Sequence, residues 1–203
     1  MRKTATTILV LIICMASVFA DGWIGLGSGV DFGWIFEDDN NPSSSTMNIP
    51  VSVMGAYYFN DTIGLAFDAG MGIPMLEKEG EAPYEEVRNK DYSFVSSIAF
   101  MLKGDLSDTL LVEGGLGLGF ECLLDRMESL SAFSYMLSAQ GRIGIGVILG
   151  EHFTLRLGAM ADLPFLGSAT FLPEESEGLF GSINQFKLFG AGVHAYLGLG
   201  YAY

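Results

Sequence analysis

The stretch Phe189-Gly190-Ala191-Gly192-Val193-His194-Ala195-Tyr196-Leu197-Gly198-Leu199-Gly200-Tyr201-Ala202-Tyr203 decides the reading of this chain. Its odd positions carry Phe, Ala, Val, Ala, Leu, Leu, Tyr and Tyr. Its even positions are mostly glycine. A period of two is the mark of a β-strand, here with one greasy face and one face of small residues.

Seven earlier segments repeat the pattern. Ile24, Leu26, Val30, Phe32, Trp34 and Phe36 make the first. Met47 through Phe59 on odd positions make the second, and Ile63 through Met75 the third. Tyr92 through Leu102, Leu110 through Phe120, Phe133 through Leu149 and Phe153 through Phe165 complete the set. The connections alternate in length. Short ones fall at Asn60-Asp61, Gly104 to Asp108 and Gly150-Glu151, with residues suited to hairpin turns. Longer ones fall at 37–45, 76–90, 123–131 and 167–184. The expected fold is all-β, an eight-stranded antiparallel transmembrane up-and-down barrel.

Volume separates this fold from a soluble barrel. Eight strands enclose just enough room for side chains to fill, and the greasy faces hold far more large apolar residues than that. They must therefore point outward, into lipid, and the glycine-rich faces inward. A closed sheet also pairs every backbone N–H and C=O, as hydrocarbon requires. The aromatics sort accordingly. Trp34, Phe36, Tyr92, Phe94, Phe133, Tyr135, Phe165 and Phe189 lie at long-loop ends, while Tyr57, Phe59, Phe153, Tyr201 and Tyr203 lie at short-turn ends. Two such girdles mark two membrane interfaces.

Residues 1–20 read as a cleaved secretory signal: Arg2 and Lys3, an apolar core from Ile8 to Cys14, and Val18-Phe19-Ala20 before Asp21. The apolar core is too short for a spanning helix, and Ile13 is too large for a lipoprotein signal around Cys14. The barrel domain is expected over 21–203. Loss of Arg2 and Lys3 leaves a chain more acidic still than the −14 of the whole sequence, which argues against nucleic acid as a partner. Only Cys122 remains, so no internal disulfide is expected.

This combination of signal, eight alternating strands and a terminal aromatic strand resembles the small bacterial outer-membrane barrels of the OmpX, OmpA-domain and OmpW kind. Asn48-Ile49-Pro50-Val51 leading to Tyr57-Tyr58-Phe59 is similar to the second strand of many such porin-family barrels. The resemblance implies residence in the bacterial outer membrane. It also implies that Tyr201-Ala202-Tyr203 is the assembly signal read by the barrel-insertion machinery.

The charges inside the strands fall on the small-residue face: Asp31, Asp68, Glu113, Arg142, Arg156 and Asp162, joined by His194. Counted from the short turns, most share a mid-barrel layer. Two readings stand. The groups pair into an internal network that plugs the barrel, or they form a polar constriction that gates a small pore. Pro50, Pro74 and Pro164 lie on the same inward register near the long-loop ends. Proline removes a ladder hydrogen bond, so these rim positions mark either strand termination or a bent or opened rim, for which the OmpW resemblance implies a lateral opening that passes an apolar molecule from lumen to membrane. Gly25, Gly27, Gly29, Gly70, Gly72, Gly117, Gly119, Gly144 and Gly146 would leave space for it.

Enzyme chemistry is not expected. Val193-His194-Ala195 lacks the His-x-Ser pattern of the barrel lipid A deacylases, and His152 sits in a turn. Two isolated histidines make no metal site, and no cofactor is implied. The acidic long loops read as solvated, or as sites for divalent cations or a basic surface partner. The leading function is porin-like or OmpW-like passage or binding of small solutes, apolar ones included. The alternative is a plugged structural or adhesion barrel acting through its acidic loops.

Overall fold

A strand in hydrocarbon cannot leave an edge unpaired, because no water is there to satisfy its N–H and C=O groups. The computed structural model of the chain meets this demand by closing its sheet. It describes residues 21–36, 43–87, 92–127, 130–173, 183–186 and 190–203, with backbone alone for 124–127, 130–133, 168–173 and 183–186. The expected export signal, residues 37–42 of the first long loop, Arg88, Lys90, most of the fourth long loop and Phe189 lie outside these residues.

In chain order the strands are β1 (Gly22–Ile35), β2 (Ser44–Tyr58), β3 (Ile63–Glu79), β4 (Glu85–Glu86), β5 (Ser93–Asp105), β6 (Leu110–Met127), β7 (Leu130–Leu149), β8 (Phe153–Pro173), β9 (Ile183–Phe186) and β10 (Gly190–Ala202). Eight of them are long and form the barrel wall. The two short ones, β4 and β9, pair only with the outer parts of β3 and β8. Every pairing is antiparallel. The wall closes where β10 pairs with β1 from Trp23↔Ala202 to Ile35↔Gly190, and with β8 from Tyr201↔Phe153 to Gly192↔Asp162. Gly22 and Tyr203 extend the seam by exchanging backbone hydrogen bonds of 3.1 and 3.0 Å.

The two faces have opposite solvents. Leu26, Leu116 and Ile143 are 66, 76 and 69% exposed, and belong to a belt of outward aliphatic side chains. On the inward face Met101 and Thr154 are fully buried. A belt of this extent is far beyond what a water-soluble surface carries, and fits lipid. At its borders stand Trp34, Phe36, Tyr92, Phe94 and Phe165 on the long-loop side, and Phe59, Phe153 and Tyr201 on the other.

Two details differ from the sequence reading. The strands run further than the apolar alternation does. β6 and β7 continue to Met127 and Leu130 through the expected loop at 123–131, and β3 and β8 extend into the second and fourth loops. Ladder hydrogen bonds can propagate past the membrane without a greasy face to announce them. The other difference is Met75, read as a regular outward position. Asn48 faces Pro74 and Met47 faces Leu76, so Met75 is the extra residue of a β-bulge. A second bulge repeats the arrangement: Ser138 faces Pro164, Leu137 faces Leu166, and Phe165 is extra, leaving both Phe165 and Leu166 exposed. In both cases the bulge directly follows a proline, the residue that cannot donate to the ladder.

Leu116→Arg would place a charge in the middle of the lipid band. It should destabilise the folded barrel by about 2–4 kcal/mol, measured by denaturant unfolding in lipid vesicles. The same substitution at Leu106, in a short turn, should cost under about 1 kcal/mol.

Candidate functional site

Strand alternation delivers one inward side chain at every second position, so the barrel interior is built as a stack of levels. The lowest level, at the short turns, is a vestibule of about 370 Å³. Lys103 reaches across it from β5 to form an ion pair with Asp21, beside the first strand. Its ammonium also sits 4.9 Å from the centre of the Tyr58 ring, a cation–π arrangement.

Above the vestibule the lumen is packed shut. Arg156 Nη1 donates to Glu113 Oε2 at 2.9 Å, and the Tyr58 hydroxyl donates to the same oxygen at 2.8 Å. Arg156 Nε donates to Thr154 Oγ1 at 3.0 Å, and its guanidinium lies 5.0 Å from the Trp23 ring centre. Trp23, Met54, Met101, Met160 and Tyr196 fill the space around this pair. The neighbouring glycines make room for them. A Cβ on Gly27 or Gly198 would strike the Met54 sulfur, one on Gly146 would strike Arg156, and one on Gly144 or Gly158 would strike the Tyr196 hydroxyl. Gly27, Gly144 and Gly146 were read as free lumen space; that space belongs to these three side chains. Among the described residues, a void of about 20 Å³ lies at this level.

The next level up is a second ion pair. Arg142 Nη2 donates to Asp68 Oδ2 at 2.9 Å, and also to Ser97 Oγ and Gln140 Oε1; Ser97 donates in turn to Asp68. Both members of each pair are almost fully withdrawn from solvent. The two pairs and the side chains between them form a septum across the barrel. Of the charged residues, most of which were expected in a mid-barrel layer, Glu113 pairs with Arg156 and Asp68 with Arg142.

Over the septum lies a cup of about 400 Å³ at the long-loop end. Asp31, Asp162 and His194 line it, and so does Glu121. Asp31 accepts from Asn48 Nδ2 at 3.3 Å; Asp162 accepts from Gln140 Nε2 at 2.9 Å and Ser138 Oγ at 3.2 Å. Pro50 and Pro164 belong to its wall, and Pro74 sits opposite Asn48 at the bulge. Glu121 escaped the sequence reading because it follows Phe120 and precedes Cys122-Leu123-Leu124, where the strand was taken to end. Its odd number, in phase with Glu113, Gly117 and Gly119, was the available signal. The large inward residues Trp23, Tyr58 and Tyr196 were not singled out because the inward face was read as dominated by glycine.

The wall of the cup has a weak seam. The β1–β2 ladder pairs Ser28 with Val51 and resumes at Asp31 with Asn48. Gly29, Val30, Ile49 and Pro50 between them are not paired across that seam, although each is paired on its other side. The Ser28 hydroxyl instead donates to the Pro50 carbonyl at 2.8 Å.

No family model and no curated protein sequence matches this chain. Solved structures do. The chain is similar to Neisserial surface protein A, with a TM-score of 0.59 at 10% identity over 90% of this chain and 97% of that one. It is also similar to the outer membrane protein OprG from Pseudomonas aeruginosa, with a TM-score of 0.54 at 14% identity over 91% and 97%. At these identities the likeness is one of fold: the chain is an eight-stranded barrel of the kind found in bacterial outer membranes.

Each septum pair is buried, so removing one partner strands a charge. Glu113→Gln should destabilise the barrel by about 3–5 kcal/mol, and Glu113→Gln with Arg156→Met should recover most of that loss. Equilibrium unfolding in detergent or lipid reads both. A loss for the double variant equal to the sum of the Glu113→Gln and Arg156→Met losses would show that the pair is not coupled.

Proposed function

We propose that this protein is a non-enzymatic outer-membrane barrel that binds small solutes in its outer cup and passes apolar ones sideways into the membrane. The observation that carries the reading is the cup itself: about 400 Å³ of space above a packed septum. Concave sites of this size, mostly apolar with a few convergent polar groups, are where small molecules bind. Ile35, Val95, Leu123 and Met136 supply the apolar part of the lining.

The septum argues against straight passage through the lumen. Parting it means separating two buried ion pairs and withdrawing Met54, Met101 and Tyr196 from their glycine recesses. The stretch where Gly29 and Val30 lack partners on β2 is a cheaper route, because two ladder pairs are already missing there and the Ser28 hydroxyl bridges the gap to the Pro50 carbonyl. Pro50, which opens toward both the cup and the seam, has no N–H to restore the ladder. Tyr201 and Tyr203 end the strand that closes the barrel, the position suited to a strand read during assembly by the insertion machinery.

The packed septum also favours a second reading, a plugged structural or adhesion barrel. Solute measurements separate the two. In planar bilayers the folded protein should conduct no steady current. In vesicles it should speed entry of an apolar solute into the bilayer. Val95→Trp, which fills the cup, should abolish that effect. Oxidation of a Val30→Cys/Ile49→Cys pair across the seam, made in a Cys122→Ala background, should suppress entry at least tenfold while leaving binding intact. Absence of both binding and entry, with the barrel folded, would leave the plugged reading. A large steady conductance would overturn the sideways route.

A further inference from the structure

We infer that the β1–β2 seam beside the cup is a gate held shut by two side-chain clasps, Ser28 to Pro50 on the lipid face and Asn48 to Asp31 on the cup face; its use by solutes rests on the sideways route.

The first observation is one of register. Ser28 faces Val51 below the gap, and Asp31 faces Asn48 above it. The two strands keep one register across the gap, so a continuous ladder would set Gly29 opposite Pro50 and Val30 opposite Ile49. The gap is therefore an opening between aligned strands. It is unlike the bulges after Pro74 and Pro164, where an extra residue shifts the register. Widening or closing it needs no slip of either strand. The far sides stay tied. Gly29 and Val30 pair with Tyr196 and Ala195 on β10, and Ile49 and Pro50 with Ile73 and Gly72 on β3.

The second observation is what holds the borders of the gap. Ser28 shares the lipid-facing register of Leu26 and Phe32, and is exposed. Hydrocarbon gives a hydroxyl no partner, so a serine there has to find its acceptor within the protein. Ser28 Oγ donates to the Pro50 carbonyl at 2.8 Å. That carbonyl is thus turned toward β1, the side on which proline has no N–H to complete a pair with Gly29. On the opposite face Asn48 Nδ2 donates to Asp31 Oδ2 at 3.3 Å, and both residues line the cup. One side-chain bond stands at each border, on opposite faces of the wall.

A side-chain bond is released by rotation between staggered rotamers, whereas a ladder bond moves only with the backbone. The two clasps differ in what releases them. The Asn48–Asp31 bond is open to competition from a solute in the cup. The Ser28–Pro50 bond faces lipid, which offers neither atom a substitute, so it draws the seam shut again after passage.

The test uses the full folded barrel in lipid vesicles. Backbone hydrogen exchange reads the gate itself. Ser28→Ala should speed exchange at residues 28–31 and 48–51 by about fivefold, the equivalent of one hydrogen bond, while the β5–β6 seam keeps its rates. Asn48→Ala should do the same, and the two effects should multiply in the double variant. Ser28→Thr, which keeps the hydroxyl, should match the unaltered protein. Pro50→Ala, which supplies an N–H facing Gly29, should slow exchange. Entry of N-phenyl-1-naphthylamine into vesicles with a lipopolysaccharide outer leaflet should follow the same order, faster in Ser28→Ala and slower in Pro50→Ala. Unchanged exchange in Ser28→Ala and Asn48→Ala would overturn the gate. A rise in both seams alike would mark general loosening and overturn it too. Faster exchange without probe entry by any form of the protein would sustain the clasps and overturn the sideways route.

Discussion

The structure depends on a hydrogen-bond ladder that has no free end. Lipid offers the backbone no partners, so the first strand has to find the last. That single requirement is met by the run of pairs from Trp23↔Ala202 to Ile35↔Gly190, which joins the first long strand to the last. It also turns the protein inside out relative to a water-soluble barrel. With the large aliphatic residues claimed by the lipid face, the interior has to be furnished from the opposite register, where glycine, serine and a few charges remain. The polar lumen is a consequence of closure in lipid, and so is its need for internal pairing.

The septum shows how a chain fills a polar interior without a conventional core. Arg156 and Arg142 each bring a long apolar stem and a charged end, and each end meets a carboxylate at 2.9 Å. Glycines on neighbouring strands act as recesses, so that Met54, Tyr196 and Arg156 reach across the barrel instead of colliding with its wall. Packing and charge pairing are joined in one layer. The space they close off on the outer side is a cup because the described side chains lining it do not fill it.

How much of this was legible in the sequence depended on what each feature needed from its neighbours. The wall was legible because alternation is local: Leu26, Leu116 and Leu197 announce their lipid face without reference to any other strand. The short turns at Asn60-Asp61 and Gly150-Glu151 were legible for the same reason. Partnerships across the lumen were not. That Arg156 meets Glu113 while Arg142 meets Asp68 depends on stagger between strands, which residue counting from the turns blurs into one layer. That Gly27 serves Met54 depends on which strand lies beside β1. Glu121 was hidden by the apolar run around Cys122, and Met75 by an insertion that leaves no compositional trace.

The two bulges have a consequence for how such a protein can change. Below Pro74-Met75 and Pro164-Phe165, every position is assigned to lipid or lumen by one unbroken count, and adding a residue would reverse the role of all that follow. At each bulge the count restarts. The outer arms are thereby released from the bookkeeping of the membrane band. Their lengths and side chains can drift, acquire charge or be exchanged wholesale while the septum and the seam below keep their phase.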